Sequence, residues 1–375
     1  MTEAASRSVH GKLAGISFEL RTGEQRFLSY ARKHLEPLGA DDVRLPVELS
    51  AWLDWYNGQP HRQSVHDRNL ASMLRPDRDL YVGERELHWY RVDDLRDLFF
   101  HVYFGADKVE VGGRFFFRVA NSRWSDRLRR LIRWREARSW RRRRYPTLIS
   151  YLVYYPCWWL SEVRGTGHPI HAAGVETPLG VVLLAGASGV GKSTLSIALA
   201  AEEDCRLLSD SFVLHRGKQV IAVPEPILLD RPSLAWLGPR GQILLPMGER
   251  YLLDRRGFHV QPEKRSPGGN VFAILFPRRG PRTYMRAMDP RLAHQWLSAA
   301  NLMVNDLRRY WAFAAVWEQL KPAGLVQRRE QELAELVEGT RCYELSVSRS
   351  WRCEDVLNTI LAALERKPSS LPSFV

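Results

Sequence analysis

The chain has 375 residues, 45% of them hydrophobic and 26% charged, with a net charge of +13. That is ordinary globular composition, long enough for two domains, and it excludes a disordered or fibrous class. Four cysteines stand far apart (Cys157, Cys205, Cys342, Cys353). They suggest neither a zinc site nor a disulfide framework, so a reduced cytoplasm is the expected compartment.

The first residues, MTEAASRSVHGKL, lack the apolar core of a signal peptide. GEQRFLSYARKHLEPLG reads as a helix. DLYVGERELHWYRV and DKVEVGGRFFFRV show glycines between alternating apolar positions, the chemistry of hairpins. Residues 1–120 are therefore expected to form a mixed α+β domain.

A connector follows over 121–165. Trp124, Leu128, Leu131 and Ile132 share one helical face, and arginine fills the others. Arg118 to Arg144 holds twelve arginines against Asp126 and Glu136, a net +10, so most of the excess charge is local. Three readings stay open: a solvated helix face, attachment to nucleic acid or an anionic membrane, and docking of an acidic peptide or protein. LISYLVYYPCWWL, Leu148 to Leu160, is thirteen residues long and contains Pro156. A bilayer needs about 20, so it is expected to be buried or interfacial and the chain not transmembrane.

RGTGHP breaks the pattern before a second domain, expected over 166–368, with 369–375 as a tail. GVVLLAG is an apolar run too short for a helix, KSTLSIALAAEE is helical, and CRLLSD is the next strand: a unit of the α/β class. QVIAVPE, NVFAILFP and TRCYELSVS read as further strands. PRLAHQWLSAANLMVNDLRRYWAFAAVWEQL and EDVLNTILAALERK are helical.

Between the first strand and helix lies Gly186-Ala187-Ser188-Gly189-Val190-Gly191-Lys192-Ser193, followed by Thr194. It satisfies G-x-x-x-x-G-K-[ST], the loop whose backbone N–H groups wrap a phosphate at a helix N-terminus. Lys192 would reach the β- and γ-phosphates of ATP, and Ser193 would hold Mg²⁺. Asp210 ends the following strand between Ser209 and Ser211. A carboxylate at that sheet edge can hold Mg²⁺ or take a proton from an attacking hydroxyl.

With these residues in view, the stretch PIHAAGVETPLGVVLLAGASGVGKSTLSIAL followed by CRLLSDSFVL resembles the catalytic domain of HPr kinase/phosphorylase and its kinase relatives. The resemblance covers roughly residues 168 to 280. It implies a P-loop kinase fold of that type behind the α+β domain, MgATP as donor, and a serine hydroxyl as acceptor. His171 falls on the family histidine and would orient Asp210, the base. QPEKRSPGGNVFAILF is similar to the family loop that would set Arg265 near a phosphate and give Asn270 a loop-fixing role. Ser211 stands where the family has a second aspartate, and Glu225 lies near the place of its Glu-x-Arg-Gly-x-Gly signature, which is missing here. The chain thus looks closer to kinases of ribosomally made peptides, such as lasso-peptide precursor kinases. A homo-oligomer would be expected from the family. The rival readings are a kinase of a small hydroxylated metabolite and a nucleotide-binding regulatory or nucleic-acid-associated module.

Overall fold

The computed structural model describes residues 7–39, 46–57, 70–92, 95–117, 144–250, 255–348 and 352–365. The arginine helix anticipated around Trp124 to Ile132, nearly all of Arg118–Arg144, and the tail lie outside them. The chain is mixed α/β and divides into two units. The first comprises 1–160 with 312–323; the second comprises 161–311 with 324–375.

The first unit is built on an eight-stranded sheet. Its strands are β1 (Ser8–Leu13), β2 (Ile16–Thr22), β3 (Leu49–Asn57), β4 (Leu74–Asp77), β5 (Leu80–Val82), β6 (Glu86–Val92), β7 (Leu95–Phe104) and β8 (Val109–Phe117). Their order is β1-β2-β3-β8-β7-β6-β5-β4, with β3 parallel to both its neighbours. Helix α1 (Gln25–His34) buries Phe27, Leu28, Tyr30 and Ala31, the apolar stripe expected of it.

DLYVGERELHWYRV is a hairpin: β5 turns at Gly83 into β6. DKVEVGGRFFFRV is not. Gly112 and Gly113 lie inside β8, which runs unbroken through them, and the turn comes earlier, around Gly105 between β7 and β8. The glycines serve packing instead. A Cβ on Gly112 would stand 2.0 Å from the Trp52 ring, which lies over the strand from β3.

LISYLVYYPCWWL is helical and almost wholly buried. It contains a π-helical turn, Ser150–Tyr154, and continues as α2 (Tyr155–Val163). Pro156 has no N–H to donate to the preceding turn, which accounts for a widened helix at this point. Tyr151, Tyr155 and Trp159 pack with Phe313 and Trp317 at ring-centroid distances of 4.5 to 6.2 Å. Phe313 and Trp317 thus belong to the first unit's core although they lie late in the chain. Among the described residues no helix is long and apolar enough to cross a membrane.

The second unit has a sheet of β9 (His168–Ile170), β10 (Ala172–Thr177), β11 (Gly180–Ala185), β12 (Arg206–Ser209), β13 (Val213–Arg216), β14 (Gln219–Ala222), β18 (Gly268–Gly280), β19 (Tyr284–Ala287) and β20 (Arg341–Ser348). The main path is β12-β10-β11-β18-β14-β13-β9. β20 pairs with β18 and β19. A smaller sheet joins β15 (Ile227–Leu229), β17 (Arg256–Val260) and β16 (Leu244–Arg250).

Helices cover both faces of the larger sheet. α3 (Lys192–Ala200), α4 (Arg231–Leu237) and α8 (Cys353–Glu365) pack with Val182, Leu184 and Leu275 on one side. α5 (Pro290–Leu302) and α7 (Leu325–Glu338) pack with Val181, Leu183 and Ile274 on the other. Burial on both faces is why β11 is apolar at every position after its first rather than alternating. The long helical stretch 290–320 is two helices, α5 and α6 (Asn305–Trp317), split where Asn305 and Asp306 supply a new N-terminus.

Candidate functional site

Three chain segments meet at one edge of the larger sheet because of strand direction. β10 runs antiparallel to both β11 and β12, so those two point the same way. The loop after β11 and Asp210 after β12 therefore sit at a common edge. Ala172, the first residue of β10, pairs with Ala185, the last of β11, which brings His171 to that edge as well.

The loop from Gly186 to Gly191 has positive φ at Gly186, Gly189 and Gly191, the last at 104° as N-cap of α3. Only glycine adopts such angles readily, and the resulting curl directs backbone N–H groups inward at the helix N-terminus. Lys192 is buried, and its Nζ donates to the Gly186 and Ala187 carbonyls at 2.8 and 3.0 Å. Burial lowers its pKa to about 8, while Asp210 opposes that shift.

Asp210 is 6% exposed. The Ser193 side chain stands close enough to favour its charged form, and Oδ1 has no hydrogen-bond partner. Burial raises its pKa to about 6, against the pull of Ser193, Lys192 and Arg255. Its neighbour in charge is Glu225, pushed up to about 8 by burial and then by Asp306 and Asp210. A Lewis-acidic cation suits this edge: one carboxylate oxygen is buried and unpaired, and a hydroxyl lies beside it.

His171 is 7% exposed, with its ring 5.3 Å from Phe212. Asn301 of α5 accepts its backbone N–H at 2.9 Å. Burial, and then the charge of Lys192, lower the imidazole to about 3, so it is neutral near pH 7. The Ser211 backbone pulls the other way, although neither ring nitrogen meets a partner at full hydrogen-bond geometry.

Arg265 stands elsewhere. It bridges Leu207, three residues before Asp210, and its Nε donates to the Val260 carbonyl at 2.8 Å. Three strand residues span about 10 Å, and the guanidinium is held toward β17. Asn270 pairs with Gln219 within the sheet.

A different arginine reaches the loop. β18 runs parallel to β11 and continues past it, so its last residues rise beside Gly186 to Gly191. A Cβ on Gly191 would lie 3.5 Å from Arg279 Nη2. Its neighbour Arg278 is tied down: buried Glu344 binds it together with Arg286, and Tyr284 accepts from it at 2.6 Å. Successive strand residues face opposite ways, so this clamp leaves Arg279 turned toward the loop. Nothing local in RRGPR points to the loop. Only the parallel pairing of β11 with β18 reveals the neighbourhood.

Compared with protein-family models the chain matches none, and no curated protein matches its sequence.

Proposed function

We propose that the second unit is an ATP-dependent kinase of HPr-kinase-like type. It would transfer the γ-phosphoryl group to a hydroxyl, a serine of a peptide or protein substrate. One observation carries the reading: a buried carboxylate, Asp210, stands at the same sheet edge as the glycine loop and Lys192, with its Oδ1 lacking a hydrogen-bond partner. A carboxylate with an unpartnered oxygen meets the need of a hydroxyl acceptor for a base.

Ser193 and Asp210 would hold Mg²⁺, which when bound offsets the negative charge of the phosphates. The loop amides and Lys192 neutralise the γ-phosphoryl oxygens, which is most of what phosphoryl transfer asks of a protein. Lys192 now donates to two loop carbonyls and would exchange one for a phosphate oxygen. Asp210 would hold the ion and take the proton of the acceptor hydroxyl in turn. His171 stays neutral at the same sheet edge. Arg279, rather than Arg265, supplies the second cation above the loop.

The test is intact-mass spectrometry of candidate acceptor peptides incubated with the chain, Mg²⁺ and ATP. A gain of one phosphate, lost in Asp210→Asn while nucleotide still binds, supports the kinase. Nucleotide turnover or binding with no gain on any peptide would move the reading to a small-molecule acceptor or a regulatory module.

A further inference from the structure

The first unit carries a second cluster of chemistry-bearing side chains, on its sheet. β6 and β7 are antiparallel, and His88 stands directly opposite His101. Glu86 lies two residues before His88, so all three project from one face of the sheet. The imidazole centroids are 4.5 Å apart. Glu86 Oε2 lies 3.5 Å from His88 Nε2 and 3.7 Å from His101 Nε2, and the three donor atoms lie within 4.8 Å of one another.

Those separations are too long for charge-assisted hydrogen bonds, which close to about 2.7–2.9 Å. They match the edges of a coordination polyhedron instead. Bonds of about 2.0–2.2 Å to a tetrahedral ion set neighbouring donors roughly 3.3–3.5 Å apart.

The surroundings favour the same outcome. Tyr81 stands opposite His88 on β5, and Gly112 stands opposite His101 on β8 beneath the Trp52 ring. These aromatic walls lower the local dielectric. His88 is 14% exposed, His101 34% and Glu86 37%, so the donors are part-sunk with solvent on the open side.

We propose that Glu86, His88 and His101 bind one divalent transition-metal ion of the zinc class, with a coordination position left to water. Two imidazoles and one carboxylate suit Zn²⁺, Co²⁺ or Ni²⁺, whereas Mg²⁺ and Ca²⁺ favour all-oxygen sets. The site is separate from the phosphate loop and independent of the kinase reading.

Untagged full-length chain, stripped with chelator, is titrated with Zn²⁺ by calorimetry and with Co²⁺ by visible absorption. One equivalent is expected to bind, with Co²⁺ bands of a low-coordinate ion. His88→Ala/His101→Ala should abolish both signals. Glu86→Gln, a shape-conserving change for the case in which the double variant misfolds, should weaken binding at least about tenfold. No binding to the native chain, or binding unchanged in Glu86→Gln and in a folded double variant, overturns the proposal.

Discussion

Asp210 and Lys192 are predicted to separate cleanly by experiment. Asp210→Asn should keep nucleotide affinity within a few-fold and lower phosphoryl transfer by about 10²–10⁴, the range for a general base. Lys192→Met should weaken nucleotide binding itself, read by fluorescence titration with a labelled ATP analogue. Arg279→Ala is expected to reduce kcat by about 10²-fold with little change in KM for ATP, because its cation matters most when charge develops on the transferring group. Arg265→Ala should leave kcat nearly unchanged. Equal losses at the two arginines would place the second cation wrongly. The glycine loop, Lys192 and Asp210 are foreshadowed in the sequence because glycines at fixed spacing mark a tight strand-to-helix loop, and Asp210 ends the strand that follows that helix. Arg279, Asn301 and Asp306 are not. Each reaches the site through strand pairing or helix packing set far along the chain, and none carries a local pattern.

Among the elements, β8 shows how one residue type serves two purposes. Paired glycines between apolar residues signal a turn by their conformational freedom, yet Gly112 is needed for its missing side chain under Trp52. Gly112→Ala should lower unfolding free energy by about 1–3 kcal/mol through overpacking, measured by urea denaturation. Trp52→Leu in the same chain should recover much of that loss. If Gly112→Ala is neutral on its own, the close approach is not a constraint. β18 is the other element with a double duty. Its thirteen residues pair first with β14, then with β11 and β20, so the strand that centres the sheet also delivers Arg279 to the loop. Its apolar middle was legible as NVFAILFP. The extension through Arg278 to Gly280 was not, because its partners Glu344 and Tyr284 lie on other strands.

For the molecule as a whole, two buried histidines are expected to contribute to the loss of stability in acid. Burial pushes both His171 and His215 down to about 3, with Lys192 adding to the effect at His171 and His168 at His215. A depressed pKa means that the unfolded chain takes up the proton first. The share of stability these two histidines carry should therefore be full above about pH 6.5 and decline as pH falls toward 3, while Asp210 and Glu225, raised to about 6 and about 8, act with the opposite sign. His215→Leu, away from the phosphate loop, should flatten part of that decline in a series of thermal melts, and an unchanged slope would show that other groups govern it. The four cysteines, all free and buried, add no covalent support.

Phe313 and Trp317 have a consequence for biosynthesis. The first unit needs residues 312–323 to complete its core, yet 151 residues of the second unit are translated between Leu160 and that segment. At about 5–20 residues per second, roughly 8 to 30 s pass before those rings leave the ribosome. During that interval Phe100, Phe104 and Trp159 lack their contacts with Phe313 and Trp317. A gene cut after Leu160 would therefore encode a first unit without the segment that completes its core.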